Sequence, residues 1–331
     1  MRALQLLFYF LFLIPINSLL AQKVVRPFQT HNQSPVVHFF GLPTNPGGIV
    51  LEKGEFYIGN YFNIANNATS AKKKGEAIYL DGEMYRNELQ FSYGFLSKLE
   101  LGISIPMVRH SAGVMDSFIS DWHETFNLPE KSRKVMPTYN LNYFFLENES
   151  FVFNMNESKL RVGDISVSLS TPIFSGKSHK LALRSFLKLA TGKKETLVGS
   201  GTNDFGVQLT GTIKPIIERG QFAWFYSLGY LRVGTGAVLD YKISRNVSFG
   251  SIGFSHNLNN KWFLKSQFDF HTSFYKDSET KQLGYASGQL VLGLDYLLTE
   301  KLVLTGAFIE DIIVNTAPDF TLQFGVSYHF K

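Results

Sequence analysis

The chain has 331 residues, a net charge of +5 at pH 7 and no cysteine, and 15% of its residues are aromatic. The lack of cysteine excludes a lipidated N-terminus, a disulfide and a thiolate metal site. The charge is mild and forms no basic stripe, which argues against nucleic acid as a partner. Mean hydropathy is near zero, which suits a membrane β-barrel whose apolar outer band is balanced by a polar lining.

The first 21 residues predict a signal peptide. Arg2 precedes an apolar run over 4–16, and the small residue Ala21 marks a cleavage point. The run is too short for a comfortable transmembrane helix, and no later stretch reaches about 20 apolar residues. We therefore expect secretion through the inner membrane and a periplasmic lead-in segment over 22–53, which is polar and rich in Pro and Gly.

From Gly54 onward, apolar and polar residues alternate as in β-strands. In the last segment, 320–330, every even position is apolar and every odd position is small or polar, so the strand has one apolar face. Its length matches the roughly 9–11 residues that a tilted strand needs to cross a bilayer. Twelve such spans are predicted, beginning near residues 54, 83, 98, 160, 178, 203, 221, 245, 261, 285, 301 and 320.

The lengths of the links between these spans alternate. Short links near 96–98, 175–178, 215–220, 257–260 and 299–300 separate longer polar links at 66–75, 110–159, 192–202, 234–244, 276–284 and 311–319. Outer-membrane barrels have short periplasmic turns, longer outside loops and an even strand number. The prediction is an all-β protein, a single antiparallel transmembrane barrel over 54–331 in the outer membrane of a Gram-negative bacterium.

An additional hairpin over 139–155 leaves fourteen strands as an alternative. Each of its arms is short of a full crossing, so an extracellular extension of a twelve-strand barrel is the preferred interpretation.

The alternation also predicts which charged residues face the lumen, because Lys or Arg on the lipid face near the bilayer centre would cost about 2–4 kcal/mol. The predicted lining residues are Arg86, Glu88, Glu100, Asp164, Arg184, Lys188, Lys265, Asp269, His271 and Asp295. We expect them to form ion-pair ladders between strands, to border a polar pathway for solutes, or to do both.

The link after the third strand predicts a short amphipathic helix within residues 110–129, which we call the insert. Its apolar stripe comprises Val114, Phe118, Trp122 and Phe126, widened by Met115 and Ile119. An apolar helix face on an outside loop needs a partner, so the insert is expected over the barrel mouth, inside the barrel or against lipid. Its polar residues Asp121, His123 and Glu124 do not share one helix face, so no metal site is predicted.

Several motifs give the sequence a resemblance to an uncharacterised family of bacterial outer-membrane proteins, known as a domain of unknown function. They are GLP at 41–43, LDGE at 80–83, HSAGVMDSFISDWHETFNLP at 110–129, GD at 163–164, LKLATG at 187–192, GSGTND at 199–204, ED at 310–311 and APD at 317–319. The 110–129 block is the most specific of them. The family more usually has Pro where this chain has Ala190. The resemblance implies an outer-membrane location and supplies no activity or site residue.

The leading functional hypothesis is a passive pore or carrier for small solutes, gated or narrowed by the insert. The alternative from another class is a lipid hydrolase, because His271 and Ser273 lie two apart on one strand face and could act as base and nucleophile. That face also carries Lys265 and Asp269, which makes it luminal and argues against access to lipid. No enzyme activity and no catalytic residue are predicted, and a structural or adhesive barrel is a third reading.

The end of the chain indicates a partner. The aromatic residues Tyr328 and Phe330 resemble the signal that barrel-assembly machinery recognises, although Lys331 follows them. Outer-membrane lipid and lipopolysaccharide are the other expected partners. No cofactor is predicted, and the sequence leaves the solute open.

Overall fold

The structure is a computed structural model that describes residues 26–126, 136–214, 222–313 and 316–330. Within these residues, fifteen strands form one sheet. They are β1 (Phe56–Lys73), β2 (Glu76–Leu96), β3 (Leu99–Ser111), β4 (Asn142–Glu147), β5 (Ser150–Met155), β6 (Arg161–Val162), β7 (Ser166–Ser175), β8 (His179–Lys188), β9 (Asp204–Ile213), β10 (Phe222–Val233), β11 (Asn246–Asn257), β12 (Trp262–His271), β13 (Ser287–Leu297), β14 (Leu302–Asp311) and β15 (Phe320–Phe330). Two helices accompany them, α1 (Asp116–Phe126) and α2 (Lys281–Gly284). In the described ranges, no helix has the length and apolarity to cross a membrane.

Twelve of the strands close into an antiparallel barrel, because β1 pairs with β2 on one side and with β15 on the other. The β1–β15 register runs from Phe56 opposite Phe330 to Asn66 opposite Phe320. The wall continues from β2 to β3 and then through β7 to β15. Closure gives every wall strand two neighbours, so backbone groups find partners without water. The predicted twelve-strand, all-β barrel is confirmed.

The hairpin of β4 and β5 extends the wall instead of crossing the membrane. It pairs with the first residues of β2, from Glu76 opposite Glu147 to Asp81 opposite Asn142. Each of its strands has 6 residues, which is short of the roughly 9–11 needed for a crossing. The fourteen-strand alternative is therefore wrong.

The two ends of the barrel differ in their connections. We call the end at Phe56 and Phe330 the terminal rim, and the opposite end the loop rim. Links at the terminal rim are short, such as 97–98 and 258–261, whereas the loop rim carries segments such as 189–203 and 234–245. The predicted alternation of link lengths therefore appears in the structure, with one exception at the first link.

The first link, expected as a polar loop over 66–75, is mostly strand. β1 and β2 stay paired up to Lys73 opposite Glu76, and only Lys74 and Gly75 turn the chain, both with positive φ. The strands project past the other wall strands, and the side chains of β1 over 66–73 are mostly polar. A polar stretch of this kind is also typical of a loop, which is why the sequence predicts a loop here.

The wall has an apolar outer face and a polar inner face. On β15, Phe324 is 54% exposed whereas Gln323 is completely buried. On β12, Leu264 is exposed and Lys265 is buried. Alternate side chains of a barrel strand point outward and inward, so the buried polar face is the lumen.

Candidate functional site: the barrel lumen

The lumen is filled by the segment that precedes the wall, residues 26–55, which we call the plug. Nearly all of residues 27–41 are buried, and the segment bonds to luminal side chains along its length. The prediction of a periplasmic lead-in over 22–53 is therefore wrong for 26–53, while 22–25 lie outside the described residues. The physical reason is that a polar lumen can satisfy a polar segment as well as water does.

The first arm of the plug, residues 26–33, runs beside β12 with a constant offset. Alternate plug residues meet alternate luminal residues of the strand. The contacts are Lys265 Nζ to Arg26 O at 3.1 Å, Phe28 N–H to Gln267 Oε1 at 2.9 Å, Thr30 Oγ1 to Asp269 Oδ2 at 2.6 Å, and Asn32 Nδ2 to His271 Nε2 at 3.0 Å. This arm therefore rises in extended form from the terminal rim towards the loop rim.

The plug turns at residues 34–40 and packs into an apolar cluster at the loop rim, which we call the cap. Phe40 stacks on Phe274 with ring centroids 4.3 Å apart. The cap joins plug residues to wall ends and loops, namely Val36, Val37, Phe39, Phe40, Tyr143, Leu231, Leu239, Ile243, Phe274 and Tyr275. Burial of a large apolar side chain contributes about 1.5–3 kcal/mol, so the cap anchors the plug firmly.

Two buried histidines tie the plug to the wall and to a loop. His38 of the plug donates from Nε2 to the carbonyl of Leu197 at 2.7 Å. His110 of β3 donates from its Nε2 to the same carbonyl at 3.3 Å. A carbonyl can only accept, so both rings carry a proton on Nε2. Leu197 belongs to the 189–203 link, which is thereby held over the lumen.

The second arm of the plug, residues 41–55, descends past β11, β9, β8 and β3 to enter β1. Its contacts include Gly41 N–H to Asp204 Oδ2 at 3.0 Å, Asn45 Nδ2 to Ser251 Oγ at 2.8 Å, Gly48 N–H to Thr212 Oγ1 at 2.9 Å, and Leu51 N–H to Glu100 Oε2 at 2.8 Å. A Cβ at Gly48 would lie 2.1 Å from the carbonyl oxygen of Lys180. Only glycine allows the arm to approach the wall this closely.

Nine of the ten predicted lining residues lie on luminal faces of wall strands, and Asp164 lies just before β7 with its carboxylate against luminal Lys188. Eight of the ten form ion pairs: Arg86–Glu88 at 2.9 Å, Arg184–Glu100 at 3.0 Å, Lys188–Asp164 at 2.7 Å and Lys265–Asp295 at 2.7 Å. Lys188 also lies 2.9 Å from Asp204, which the sequence analysis did not single out. Asp269 and His271 bond to the plug. Whether these residues border a solute pathway stays a prediction.

The described helix of the insert, α1, lies on the outside of the barrel, not in the lumen. Met115 and Ile119 are buried in one cluster with Phe320, against Ile64, Phe308 and Leu322. These wall residues belong to the outward faces of β1, β14 and β15. The prediction of a short helix is right, but the hypothesis that the insert narrows or gates the lumen is wrong.

The stripe that was predicted to be the packed face of the helix is also the wrong row of residues. Val114 is 73% exposed and Phe118 is 51% exposed, whereas Met115 and Ile119 are buried. The side chains of Trp122 and Phe126 lie outside the described part of the chain, as do residues 127–135. The adjacent row is buried because it faces the apolar wall, and the exposed row continues the lipid-facing surface.

The carboxylate of Glu83 fixes where the insert begins. It accepts the backbone N–H groups of Val114 and Met115 at 3.0 and 2.6 Å. Tyr85 donates its hydroxyl to the other carboxylate oxygen at 2.5 Å. A negative charge at the start of α1 also complements the helix dipole. The outward Glu83 is completely buried, so the insert shields it from lipid.

Outside the membrane-spanning region, Lys242 joins the 234–245 link to the β4–β5 hairpin. Its Nζ lies 2.8 Å from Glu76 and 2.9 Å from Glu147. Burial lowers the pKa of Lys242, but the two carboxylates outweigh it and the pKa is raised. The hydrogen bond from Lys242 in turn lowers the pKa of Glu147.

The pair proposed for a hydrolase does not form a catalytic dyad. His271 has its Nε2 against Asn32 and its Nδ1 2.9 Å from the carbonyl oxygen of Thr272. Ser273 lies beyond the end of β12 and its Oγ is 2.6 Å from the carbonyl of Tyr275. Both side chains therefore have structural partners. In the described residues, no group of three His, Cys, Asp or Glu side chains could hold a metal ion.

The C-terminal strand ends in an aromatic contact. The rings of Phe330 and Phe56 stack with centroids 5.2 Å apart, and Tyr328 lies near Phe330 at 5.4 Å. Lys331 lies outside the described residues. A role of Tyr328 and Phe330 as an assembly signal stays a prediction.

The plug was missed because its contacts are far away in sequence, but one signal points to it. Residues 27–51 contain no Lys, Arg, Asp or Glu, although amides and hydroxyls are frequent. Solvated linkers usually carry charge. An uncharged polar stretch is better suited to a buried polar site than to the periplasm.

A closed antiparallel barrel with an apolar outer face and a polar lumen defines an integral outer-membrane β-barrel. The chain belongs to a family described as a protein of unknown function, DUF3187, whose model matches residues 7–330. The sequence matches none of the curated proteins compared with it.

Among solved structures, the fold is similar to the COG4313 outer membrane channel from Pseudomonas putida F1. The TM-score is 0.55 at 12% identity, covering 86% of this chain and 98% of that one. The NanC porin gives a TM-score of 0.47 at 9% identity, covering 82% and 98%. The toluene transporter TbuX of Ralstonia pickettii gives 0.41 at 10% identity, covering 87% and 91%. These similarities concern the fold.

Proposed function

We propose that the protein is a gated outer-membrane channel for small hydrophilic solutes, with its terminal rim in the periplasm and the plug as its gate. The observation that carries the proposal is the hydrogen-bonded first arm inside a polar lumen. A polar lumen is typical of solute channels. The plug, and not the insert, occupies the space that a solute would cross.

The first arm is the part of the plug suited to move. The second arm is tied to β1 and the middle is anchored in the cap, whereas residues 26–33 end towards the terminal rim. Six hydrogen bonds join the first arm to β12, and each contributes about 0.5–1.5 kcal/mol. The lower end of their sum is comparable with the few kcal/mol that separate two populated conformations of a protein. Release of this arm would widen the lumen from the periplasmic side without unfolding the wall.

A cross-link between the first arm and the wall tests the gate. The chain has no cysteine, so Thr30→Cys with Asp269→Cys creates a single reactive pair. Joining the two thiols with a short bifunctional reagent should lower the open-channel conductance in planar bilayers, and cleavage of a reducible reagent should restore it.

The matched control is Ala223→Cys with Ser255→Cys. These residues face each other across β10 and β11, are buried in the wall and belong to no plug contact described above. Their cross-link should leave conductance unchanged. Equal conductance in the locked and unlocked Thr30 pair would contradict the gate.

A further inference from the structure

A polar groove remains between the plug and the wall formed by β2, β3 and β7. The plug bonds mainly to β12 through its first arm and to β8, β9 and β11 through its second arm. The groove has a volume of about 120 Å³. Small hydroxyl side chains line it on the wall side, namely Ser92, Ser104, Ser166 and Ser168. The groove is an unfilled polar part of the lumen, with room for a small molecule.

The cations that line the groove are not equally neutralised. Arg86, Arg184 and Lys188 each have a carboxylate within 3.0 Å. Arg26 also lines the groove, but the ion pairs of the described lumen do not include it. Its guanidinium lies 4.0 Å over the ring of Tyr57. Arg26 is therefore the cation of the groove whose charge the wall does not compensate.

The donor groups of Arg26 are also incompletely used. Its Nη2 is buried and has no hydrogen-bond partner among the described residues. The preceding residues 1–25 contain no Asp or Glu, so they cannot supply a carboxylate. The position of Arg26 is fixed by its backbone, since Lys265 donates to its carbonyl. The free donor is thus held at the groove.

A second polar atom in the groove lacks a partner. Nδ1 of His31 is buried without one in the described part of the chain, and His31 lines the same groove as Arg26. Burying a cation or a polar atom without a partner is costly. A ligand with an anionic acceptor would remove the penalty at Arg26, because guanidinium binds carboxylates through paired, charge-assisted hydrogen bonds.

We propose that the groove is a binding site for a small carboxylate, with the carboxylate on Arg26 and the rest of the molecule along the serines of β2, β3 and β7. The proposal rests on the proposed function, since it assigns the class of solute for the same lumen. The solute class follows from the uncompensated guanidinium. His31 and the hydroxyl groups add polar contacts to a ligand held in this way.

Binding is measured apart from transport, so that the two proposals can fail separately. Acetate binding to purified, detergent-folded protein is followed by saturation-transfer NMR of its methyl protons, and inorganic phosphate is tested by its competition with this signal. Arg26→Gln should weaken acetate binding roughly tenfold or more, as expected for the loss of a charge-assisted pair. Arg26→Lys keeps the charge and should retain part of the binding.

The matched control is Arg232→Gln, which removes an arginine whose guanidinium bonds to Asn246 at the loop rim. It should bind acetate as the wild type does, and heat-modifiability shows that every variant is folded. Absence of acetate binding, equal binding in Arg26→Gln, or binding of phosphate in place of acetate would each overturn the site. A protein that binds acetate but never conducts would refute the channel and leave the site intact.

Discussion

The plug and the insert both pack on the barrel wall without belonging to it. The plug lies against the inner face of the wall, and the insert lies against the outer face. The plug is free of charge over 27–51 and offers amides, hydroxyls and backbone groups to the polar lumen. The insert presents Met115 and Ile119 to the apolar outer face. The face of a barrel that a segment occupies therefore follows from the chemistry of its buried side, not from its position next to a loop or a terminus.

Removal of the plug should have the largest effect. Deletion of residues 27–50 leaves the β1–β15 pairing that closes the wall, so the barrel should still fold and remain heat-modifiable. Conductance in planar bilayers should rise far above the wild-type level because the lumen loses its filling. A folded deletion variant with wild-type conductance would contradict the claim that the plug, unlike the insert, fills the lumen.

Removal of the buried side of the insert should act on the insert alone. Ile119 is completely buried, so Ile119→Ala should weaken the docking of α1 by about 2–5 kcal/mol. Faster hydrogen exchange over 116–126 would show it. Phe118→Ala, at a half-exposed position of the same helix, is the control and should change exchange little. Increased conductance in Ile119→Ala would mean that the insert controls the lumen after all.

A smaller effect is expected where the second arm of the plug lies close to β8. Gly48→Ala places a methyl group against Lys180 O, and such overpacking costs about 1–3 kcal/mol. The temperature of thermal unfolding should fall. Gly306→Ala is the control, because a Cβ there has no neighbour within 4 Å. Equal unfolding temperatures for the two variants would show that the second arm does not lie against β8.

The smallest effect concerns pH at the β4–β5 hairpin. The lowered pKa of Glu147 means that its bond to Lys242 stabilises the docked hairpin above the ordinary glutamate pKa of about 4.3. This stabilisation is lost as the pH falls through the lowered pKa. The protection factors for hydrogen exchange over 142–155 should therefore fall on acidification, and Glu147→Gln should reduce this pH dependence. An unchanged dependence in that variant would assign the effect to another group.

The sequence was sufficient for the wall because its signal is local. Alternation such as Trp262, Leu264 and Phe268 against Lys265 and Gln267 shows strand, face and length within one span. The luminal positions of nine of the predicted lining residues follow from the same alternation. Even the hairpin of β4 and β5 could be separated from the wall, because its arms are too short to cross.

The plug could not be placed in the same way because its contacts are not local. Thr30 and Asp269 meet across 239 residues, and nothing in either neighbourhood reveals the other. The prediction for the insert was wrong for a different reason. Two adjacent rows of its helix are apolar, and the contact of Glu83 with Val114 and Met115, which fixes the docked row, is visible only in three dimensions.

The central claim, that the N-terminal segment lies inside the barrel, is tested most directly by thiol accessibility. Asn45 of the plug is 3% exposed, whereas Lys53 lies at the terminal rim and is exposed. A bulky maleimide should label Lys53→Cys rapidly in folded protein and label Asn45→Cys only after heat unfolding. Rapid and equal labelling of both cysteines in the folded barrel would place the segment outside the lumen and contradict the gate.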